Sequence, residues 1–210
     1  MLPAVVDRYA LLDSGSALGR GNGQLLVRRR GDRSPIRRVA IPGELTTANA
    51  MLLRFFPSIV DRTPVLFSEI AAAVERGAFD AGVLIHEGRF TYERHNLELV
   101  ADLGALWERQ TGLPLPLGGI VASRELLAEV RRTFDRVLHD SIAYALEHPT
   151  VSRPFVREHA RELDDEVIDR HIALFVNRYS LALGEEGRRA VRELTGLPDL
   201  RLGWEPLHGS

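Results

Sequence analysis

The sequence of 210 residues contains no cysteine and no lysine, because all 27 basic side chains are arginine. Without cysteine, the chain has no thiolate nucleophile and no cysteine-ligated zinc site. Without lysine, it has neither a Schiff-base amine nor the lysine of a phosphate-binding P-loop. It also lacks an apolar run near the roughly 20 residues that cross a bilayer. These absences exclude disulfide scaffolds, membrane-spanning helices and lysine-dependent enzymes.

The remaining composition is typical of a globular protein, with 45% hydrophobic and 27% charged residues and a formal net charge of -2. A chain of this size buries roughly 70% of its unfolded-chain surface, enough for one large core or two small ones. The first eight residues do not resemble a secretory signal, because Asp7 and Arg8 interrupt the apolar stretch. We therefore expect a cytoplasmic protein.

Positive charge is concentrated in Val27–Arg38, which contains six arginines. Such a segment could attract an anion, but neither interleaved aromatic residues nor a recognisable nucleic-acid module accompanies it. We therefore interpret it as a solvated turn between two strands, with Gly31-Asp32 and Ser34-Pro35 as turn residues. No nucleic-acid partner and no membrane partner is expected.

Hydrophobic periodicity predicts strands and helices in alternation up to about residue 122, and helices alone beyond it. The predicted strands are Gln24–Val27, Arg38–Ile41, Pro64–Phe67, Ala81–His86 and Gly119–Ala122. The predicted helices are Thr46–Phe56, Ser68–Arg76, Asp102–Gln110, Arg124–Glu147, Pro154–Glu162, 167–176 and Glu185–Leu194. This order indicates an α/β protein. Composition shifts near residues 37 and 122 predict a discontinuous first lobe (1–36 and 122–210) and a second α/β lobe (37–121).

The stretch Ser14–Gly23 alternates serine and glycine closely enough to let the backbone approach a ligand. Its glycines do not follow the G-x-G-x-x-G spacing, and a strand rather than a helix is predicted after it, so a dinucleotide site is disfavoured. A flexible turn without a ligand is the alternative interpretation.

A second candidate site lies where the strand ending at Ile41 leads into the helix that begins near Thr46 or Thr47. Threonine hydroxyls and the free N–H groups of a helix N-terminus suit a carboxylate or phosphate, and the helix dipole adds about 0.3–1 kcal/mol. Simple N-capping of the helix by threonine is the alternative.

A third candidate is His86, which follows the apolar stretch Ala81–Ile85. The carboxyl ends of strands are where open α/β sheets place ligands, and histidine is the side chain best suited to proton transfer near neutral pH. Glu87 and Arg89 could orient the imidazole or bind substrate, whereas a hydrogen-bonded structural histidine is the alternative. The other six histidines do not follow a metal-binding spacing, so no metal site is expected.

Taken in order along nearly the whole chain, several stretches closely resemble the 1,4-dihydroxy-6-naphthoate synthase family of menaquinone biosynthesis. The stretches that carry this resemblance are Ser14–Gly21, Thr46-Thr47-Ala48, Leu84–Tyr92, Thr111–Gly119, and Val176-Asn177 with Ser180. The stretch with the histidine and the stretch rich in proline and leucine are the most specific of them.

The resemblance implies a two-lobe fold like that of the type-II periplasmic binding proteins, with a central cleft. It implies a lyase of the futalosine pathway that cleaves cyclic dehypoxanthine futalosine to 1,4-dihydroxy-6-naphthoate and dihydroxyacetone. His86 matches the proton acceptor, while Thr46 and Thr47 match substrate-binding threonines, and we add Ser14, Gly15 and Arg89 to the expected substrate contacts. No cofactor is expected, and the only expected partner is the small-molecule substrate.

The sequence departs from the family in one respect. Family members ordinarily begin with a strand–helix–strand segment that carries a Ser-Pro-Cys-Pro-Asn-Asp-like motif, for which this sequence has no counterpart. We therefore expect an incomplete first lobe, exposed apolar surface and weak stability. A chorismate-dehydratase-like enzyme and a non-catalytic binding protein for a small carboxylate remain the alternatives.

Overall fold

Strands predominate in the first part of the chain and helices in the second. The computed structural model describes residues 2–86, 88–160, 165–198 and 200. The strands are β1 (Tyr9–Leu11), β2 (Ala17–Gly19), β3 (Leu25–Arg29), β4 (Arg38–Ile41), β5 (Asp61–Pro64), β6 (Ala81–Leu84), β7 (Leu97–Asp102), β8 (Leu115–Gly118) and β9 (Val121–Ser123). The helices are α1 (Leu2–Val5), α2 (Thr47–Phe55), α3 (Ile70–Glu75), α4 (Gly88–Thr91), α5 (Leu103–Thr111), α6 (Ala128–Glu147), α7 (Pro149–His159), α8 (Asp165–Phe175), α9 (Arg178–Leu181) and α10 (Gly184–Thr195).

The chain forms two compact units, one discontinuous and one continuous. The first unit comprises Met1–Gly19 and Pro116–Ser210, and the second comprises Arg20–Leu115. The predicted boundaries at residues 36/37 and 121/122 therefore differ from those of the structure. Residues 20–36 belong to the second unit because β3 pairs with two strands of its sheet.

The second unit is built on a five-stranded mixed sheet with the order β5-β4-β6-β3-β7. Strand β4 runs parallel to both β5 and β6, as the predicted strand–helix–strand order requires. Strand β3 is antiparallel to β6 and β7. The central strand β6 is buried at all four residues, so both faces of the sheet are covered there.

Helix α3 covers one face of this sheet. Ile70 and Val74 of the helix belong to a buried cluster that also includes Leu25, Val27, Ala40, Leu84 and Leu97 from the sheet. The close approach depends on Gly82, since a Cβ atom there would lie 2.5 Å from a methyl group of Ile70. Helices α2 and α5 pack against each other, and they contact β6 and β3 respectively.

The arginine-rich segment is ion-paired within the second unit. Glu98 of β7 accepts hydrogen bonds from Arg28 (3.0 Å), Arg33 (2.5 Å) and the N–H group of Gly31 (3.1 Å). The Gly31 N–H group, followed by the two guanidinium groups, lowers the pKa of the Glu98 carboxyl despite partial desolvation. The segment thus holds β3 to β7, which gives its positive charge a structural role.

Asp80 joins the beginnings of β4 and β6. Its Oδ2 atom accepts hydrogen bonds from the N–H groups of Arg37 (3.0 Å) and Arg38 (2.9 Å), and its Oδ1 lies 3.5 Å from the Arg38 guanidinium. Burial alone would raise the pKa of Asp80, but the two N–H donors and the Arg38 charge outweigh it and lower the pKa. The ionised carboxylate therefore stabilises this corner of the sheet at neutral pH.

The first unit combines two short strand pairs with helices. Strand β1 is antiparallel to β9, with Ala10 opposite Ala122, and β2 pairs with β8. Helix α9 contacts both β2 and α6, and α8 also contacts β2.

Two predicted elements are wrong in position. The predicted strand Pro64–Phe67 is instead the edge strand β5, which ends at Pro64, and Phe67 begins a 3₁₀ turn. Helix α7 begins at Pro149 rather than at Pro154. Proline is favoured at the first position of a helix because the N–H group that it lacks has no intrahelical partner there.

Candidate active site

Three parallel strands of the second unit end at the same edge of its sheet. Strands β5, β4 and β6 are neighbours that run in the same direction, so their carboxyl ends lie side by side. Phe67 follows β5, the Thr46-Thr47 pair follows β4, and His86 follows β6. In open α/β sheets this edge is the usual position of a ligand site.

His86 stands two residues beyond β6 in a left-handed backbone conformation, with a φ of 52°. This conformation costs an ordinary L-residue about 1–2 kcal/mol, and such strain is found mainly where the surrounding structure imposes it at functional sites. The imidazole is exposed and meets the ring of Phe67 edge-on, with 5.5 Å between ring centroids. The fold therefore holds an accessible imidazole at the strand end.

Thr46 caps helix α2. Its hydroxyl oxygen accepts a hydrogen bond from the N–H group of Asn49 (3.2 Å), and the hydroxyl donates to the carbonyl of Gly43 (2.6 Å). Thr47 is the first helical residue and is half-buried. Thr46 therefore caps the helix, as the alternative interpretation expects. The positive end of the helix dipole lies at the same edge of the sheet.

Asn49 lies beneath the Thr46 cap and is 7% exposed. Its Nδ2 atom donates to the carbonyl of Glu44 (2.8 Å), which ties the helix to the loop before it. Its Oδ1 atom is buried and receives no hydrogen bond from the described residues. Asn49 therefore fixes the shape of the loop that presents the two threonines.

Arg89 is directed back into the second unit. Its guanidinium donates to the carbonyl of Gly23 (2.5 Å) and to the carboxylate of Asp102 (2.9 Å). Asp102 in turn caps α5 by accepting the N–H group of Ala105. These contacts give Arg89 a structural role at the junction of β7 and α5, and its predicted contact with substrate stays a prediction.

Ser14 and Gly15 lie in the first unit and are held by internal hydrogen bonds. The buried Ser14 donates its N–H group to Asp135 (3.0 Å) and its hydroxyl to the carbonyl of Leu181 (2.8 Å). Gly15 has a φ of 82° and donates its N–H group to the carbonyl of Ser180. A Cβ atom at Gly15 would lie 2.5 Å from the side chain of Ile120, so only glycine fits this turn.

Two polar residues of the helical region have structural contacts in the first unit. Asn177 caps α9, and its Nδ2 atom donates to the carbonyl of Leu18 (2.7 Å). Ser180 completes the capping box by accepting the N–H group of Asn177. Their hydrogen bonds therefore hold α9 against β2.

Three other expectations concern Glu87, metal binding and membrane-spanning helices. Glu87, considered as an orienting group for His86, lies outside the described residues. Within the described ranges, His, Asp and Glu side chains do not gather in groups of three or more that could hold a metal ion. None of the helices in this part of the chain is long and apolar enough to cross a membrane.

Sequence reasoning missed Phe67 and Asn49 at this edge. Phe67 is the last residue of a predicted strand, and nothing in its sequence neighbourhood indicates that its ring meets His86. Asn49 lies in the predicted helix Thr46–Phe56, but its contact with Glu44 depends on the turn between strand and helix.

Solved structures define the class of fold. The ligand-binding component of an ABC-type import system from Staphylococcus aureus matches 90% of this chain and 67% of its own, with a TM-score of 0.61 and 11% identity. A crystal structure of an Archaeoglobus fulgidus protein matches 93% of this chain and 74% of its own, with a TM-score of 0.83 and 34% identity. The protein therefore has the α/β fold of the periplasmic substrate-binding proteins, as predicted.

Sequence relatives define the family. The model of a family described as menaquinone biosynthesis matches residues 1–198. A 1,4-dihydroxy-6-naphthoate synthase from Thermus thermophilus is 48% identical over 192 residues, which are 90% of this chain and 70% of that protein. One from Streptomyces coelicolor is 44% identical over 201 residues, covering 92% and 71%. The chain belongs to this menaquinone biosynthesis family, and the predicted resemblance is confirmed.

Proposed function

We propose that the protein is a carbon–carbon lyase that converts cyclic dehypoxanthine futalosine to 1,4-dihydroxy-6-naphthoate and dihydroxyacetone. Family membership supports an enzyme of menaquinone biosynthesis. The particular substrate and the lyase reaction are our proposal, as is the role of His86 as the general base.

The observation that carries this proposal is the position of His86. Its imidazole is exposed at the end of a buried strand, in a backbone conformation that an ordinary residue adopts only at a cost. The Thr46-Thr47 pair follows the parallel strand beside it and stands at a helix N-terminus. An imidazole and a helix N-terminus thus lie at one edge of the sheet, and these are group types that suit a base and an anion-binding site.

These groups suit the proposed reaction. The helix N-terminus and the threonines would hold the carboxylate of the substrate. His86 would then accept a proton from the substrate, and the sugar remnant would leave as the second aromatic ring forms. A positioned base of this kind typically accelerates a reaction by about 10²–10⁴-fold.

The test is product formation from cyclic dehypoxanthine futalosine, followed by chromatography for dihydroxynaphthoate. We expect H86A to lose about 10²–10⁴-fold in kcat with its thermal unfolding nearly unchanged. The matched control is H95A, which removes a partly exposed imidazole of the same unit that pairs with Glu75. H95A should retain normal turnover.

Normal turnover by H86A would refute the role of His86. Tight binding of the substrate without any turnover by the unaltered chain would instead indicate a binding protein, the activity that the similarity to a ligand-binding component favours. That second function would be supported by calorimetric titration with the same compound.

A further inference from the structure

Phe67 and His86 follow strands that are not neighbours in the sheet. In the order β5-β4-β6, Phe67 comes after β5 and His86 after β6, so the end of β4 lies between them. Adjacent strands are about 4.8 Å apart, which separates the two outer strands by about 10 Å. The centroids of the two rings are nevertheless only 5.5 Å apart, with an angle of 73° between the ring planes. The two side chains therefore meet across the end of β4.

The backbone that carries Phe67 is held in place on both sides. Before it, strand pairing continues past β5, because the N–H group of Val65 donates to the carbonyl of Ile41 (2.9 Å). After it, the N–H group of Ile70 donates to the carbonyl of Phe67. Ile70 is fully buried in the cluster between α3 and the sheet. The phenyl ring thus projects from a backbone segment that is fixed to the core.

The backbone at His86 is held by the turn that follows β6. The His86 carbonyl accepts a hydrogen bond from the N–H group of Arg89 (3.3 Å), and the N–H group of Gly88 donates to the carbonyl of Ile85 (3.2 Å). With its backbone fixed, the direction of the imidazole depends on its two side-chain torsions. Exposed side chains ordinarily exchange rotamers within picoseconds to nanoseconds. The position of the imidazole thus depends on whatever contacts its ring.

The edge-on contact with Phe67 favours one direction of the imidazole. Aromatic pairs in this arrangement attract each other beyond the area that they bury, by an amount that favours one conformation about 2–10-fold. Phe67 is 41% exposed, so its ring contributes less to the core than the side chain of Ile70 does. The contact leaves the imidazole itself exposed and accessible to a ligand.

We propose that Phe67 is a positioning residue for His86, and that its ring selects the direction in which the imidazole accepts a proton. This inference rests on the proposed function, since it is a general base that must stay within hydrogen-bonding reach of the proton that it removes. Time spent in other rotamers lowers kcat. Because Phe67 acts through the imidazole, its loss should change kcat and leave KM unchanged.

The first test is a double-mutant cycle on turnover of cyclic dehypoxanthine futalosine by the full chain. F67A and F67L should each lower kcat about 2–10-fold, and F67Y, which keeps the ring, should restore most of it. In the H86A background, F67A should cause no further loss. L66A is the matched control, because it removes a 60% exposed apolar side chain from the residue next to Phe67, and it should turn over normally.

A second measurement does not depend on turnover. In an isotopically labelled chain, three-bond NMR couplings across the Cα–Cβ bond of His86 report its rotamers, and H86A identifies its signals. We expect the couplings of one dominant rotamer in the unaltered chain and in F67Y, and averaged couplings in F67L. Circular dichroism checks that each variant is folded. F67L keeps most of the apolar volume and serves in place of F67A if the latter fails to fold.

A single His86 rotamer that persists in F67L would overturn the proposal. Additive losses of kcat in F67A and H86A would also overturn it, as would a raised KM at unchanged kcat in F67A, because Phe67 would then act on the substrate directly. Normal turnover by H86A, or none by the unaltered chain, would refute the proposed function instead. The NMR couplings would then decide by themselves whether Phe67 orients the imidazole.

Discussion

The left-handed conformation of His86 leads us to expect an effect on stability that is separate from any effect on catalysis. If the fold imposes this conformation, H86G should be more stable than H86A, although glycine normally destabilises a structured position. Both substitutions remove the ring contact with Phe67, so the comparison isolates the backbone.

The magnitude follows from two opposing effects. A left-handed conformation costs alanine about 1–2 kcal/mol and glycine almost nothing. Glycine also has more freedom in the unfolded chain, which reduces its advantage by about 0.5–1 kcal/mol. We therefore expect H86G to exceed H86A in free energy of unfolding by about 0.5–1 kcal/mol, or about 2 °C in Tm for a chain of this length.

The assay is urea unfolding of both variants, monitored by circular dichroism. Asn96 provides a second left-handed position, with a φ of 51°, and N96G should likewise be more stable than N96A. Ala145 lies inside α6, where A145G should instead be destabilising by about 1 kcal/mol.

The result that would refute this reasoning is an H86G variant less stable than H86A while the Asn96 and Ala145 comparisons keep their expected signs. His86 would then adopt its conformation without cost. The inference from backbone strain to a functional role would lose its basis.

Three further outcomes are expected. D80N should lower the free energy of unfolding by about 1 kcal/mol at pH 7. Because folding lowers the pKa of Asp80, this contribution is fully present above the unfolded pKa of about 3.9 and is lost as the pH falls through the folded pKa, so D80N should flatten the acid side of a stability–pH curve. G104A should cost about 2–3 kcal/mol in a urea melt, because its Cβ would lie 2.5 Å from the Gly23 Cα, whereas G118A, with open space around it, should change little. R89A should lower stability by about 1–3 kcal/mol, and a KM raised more than tenfold as well would support the predicted contact of Arg89 with substrate, whereas an unchanged KM would leave Arg89 with its structural role alone.

Sequence patterns predict the strands and helices whose own apolar residues form the core. Strand β4 has the predicted bounds, and α2 lies within one residue of its predicted ends, because apolar periodicity and a threonine cap both indicate them. Strand β5 is different, since Asp61–Pro64 is mostly exposed and carries little apolar character. It is a strand because its backbone pairs with β4, and such pairing between distant residues leaves no local pattern.

The candidate site shows the same division. The carboxyl end of an apolar strand places His86 correctly at the sheet edge, and its position beside the Thr46 helix follows from the parallel order of β4 and β6. The direction of Arg89 could not be predicted, because its partners Gly23 and Asp102 are brought near it only by the antiparallel strands β3 and β7. Residue type alone does not distinguish an arginine that binds substrate from one that hydrogen-bonds within the fold.

The central position of β6 has a consequence for amide hydrogen exchange. A strand that is hydrogen-bonded on both sides and buried on both faces exchanges only when the unit around it unfolds. Ala81 and Gly82, which have partners on both sides, should therefore be among the slowest amides, while exchange should rise beyond the end of the strand toward the exposed His86. The imidazole thus stands two residues beyond the strand that should exchange most slowly in its unit, so its point of attachment to the sheet should persist until that unit unfolds.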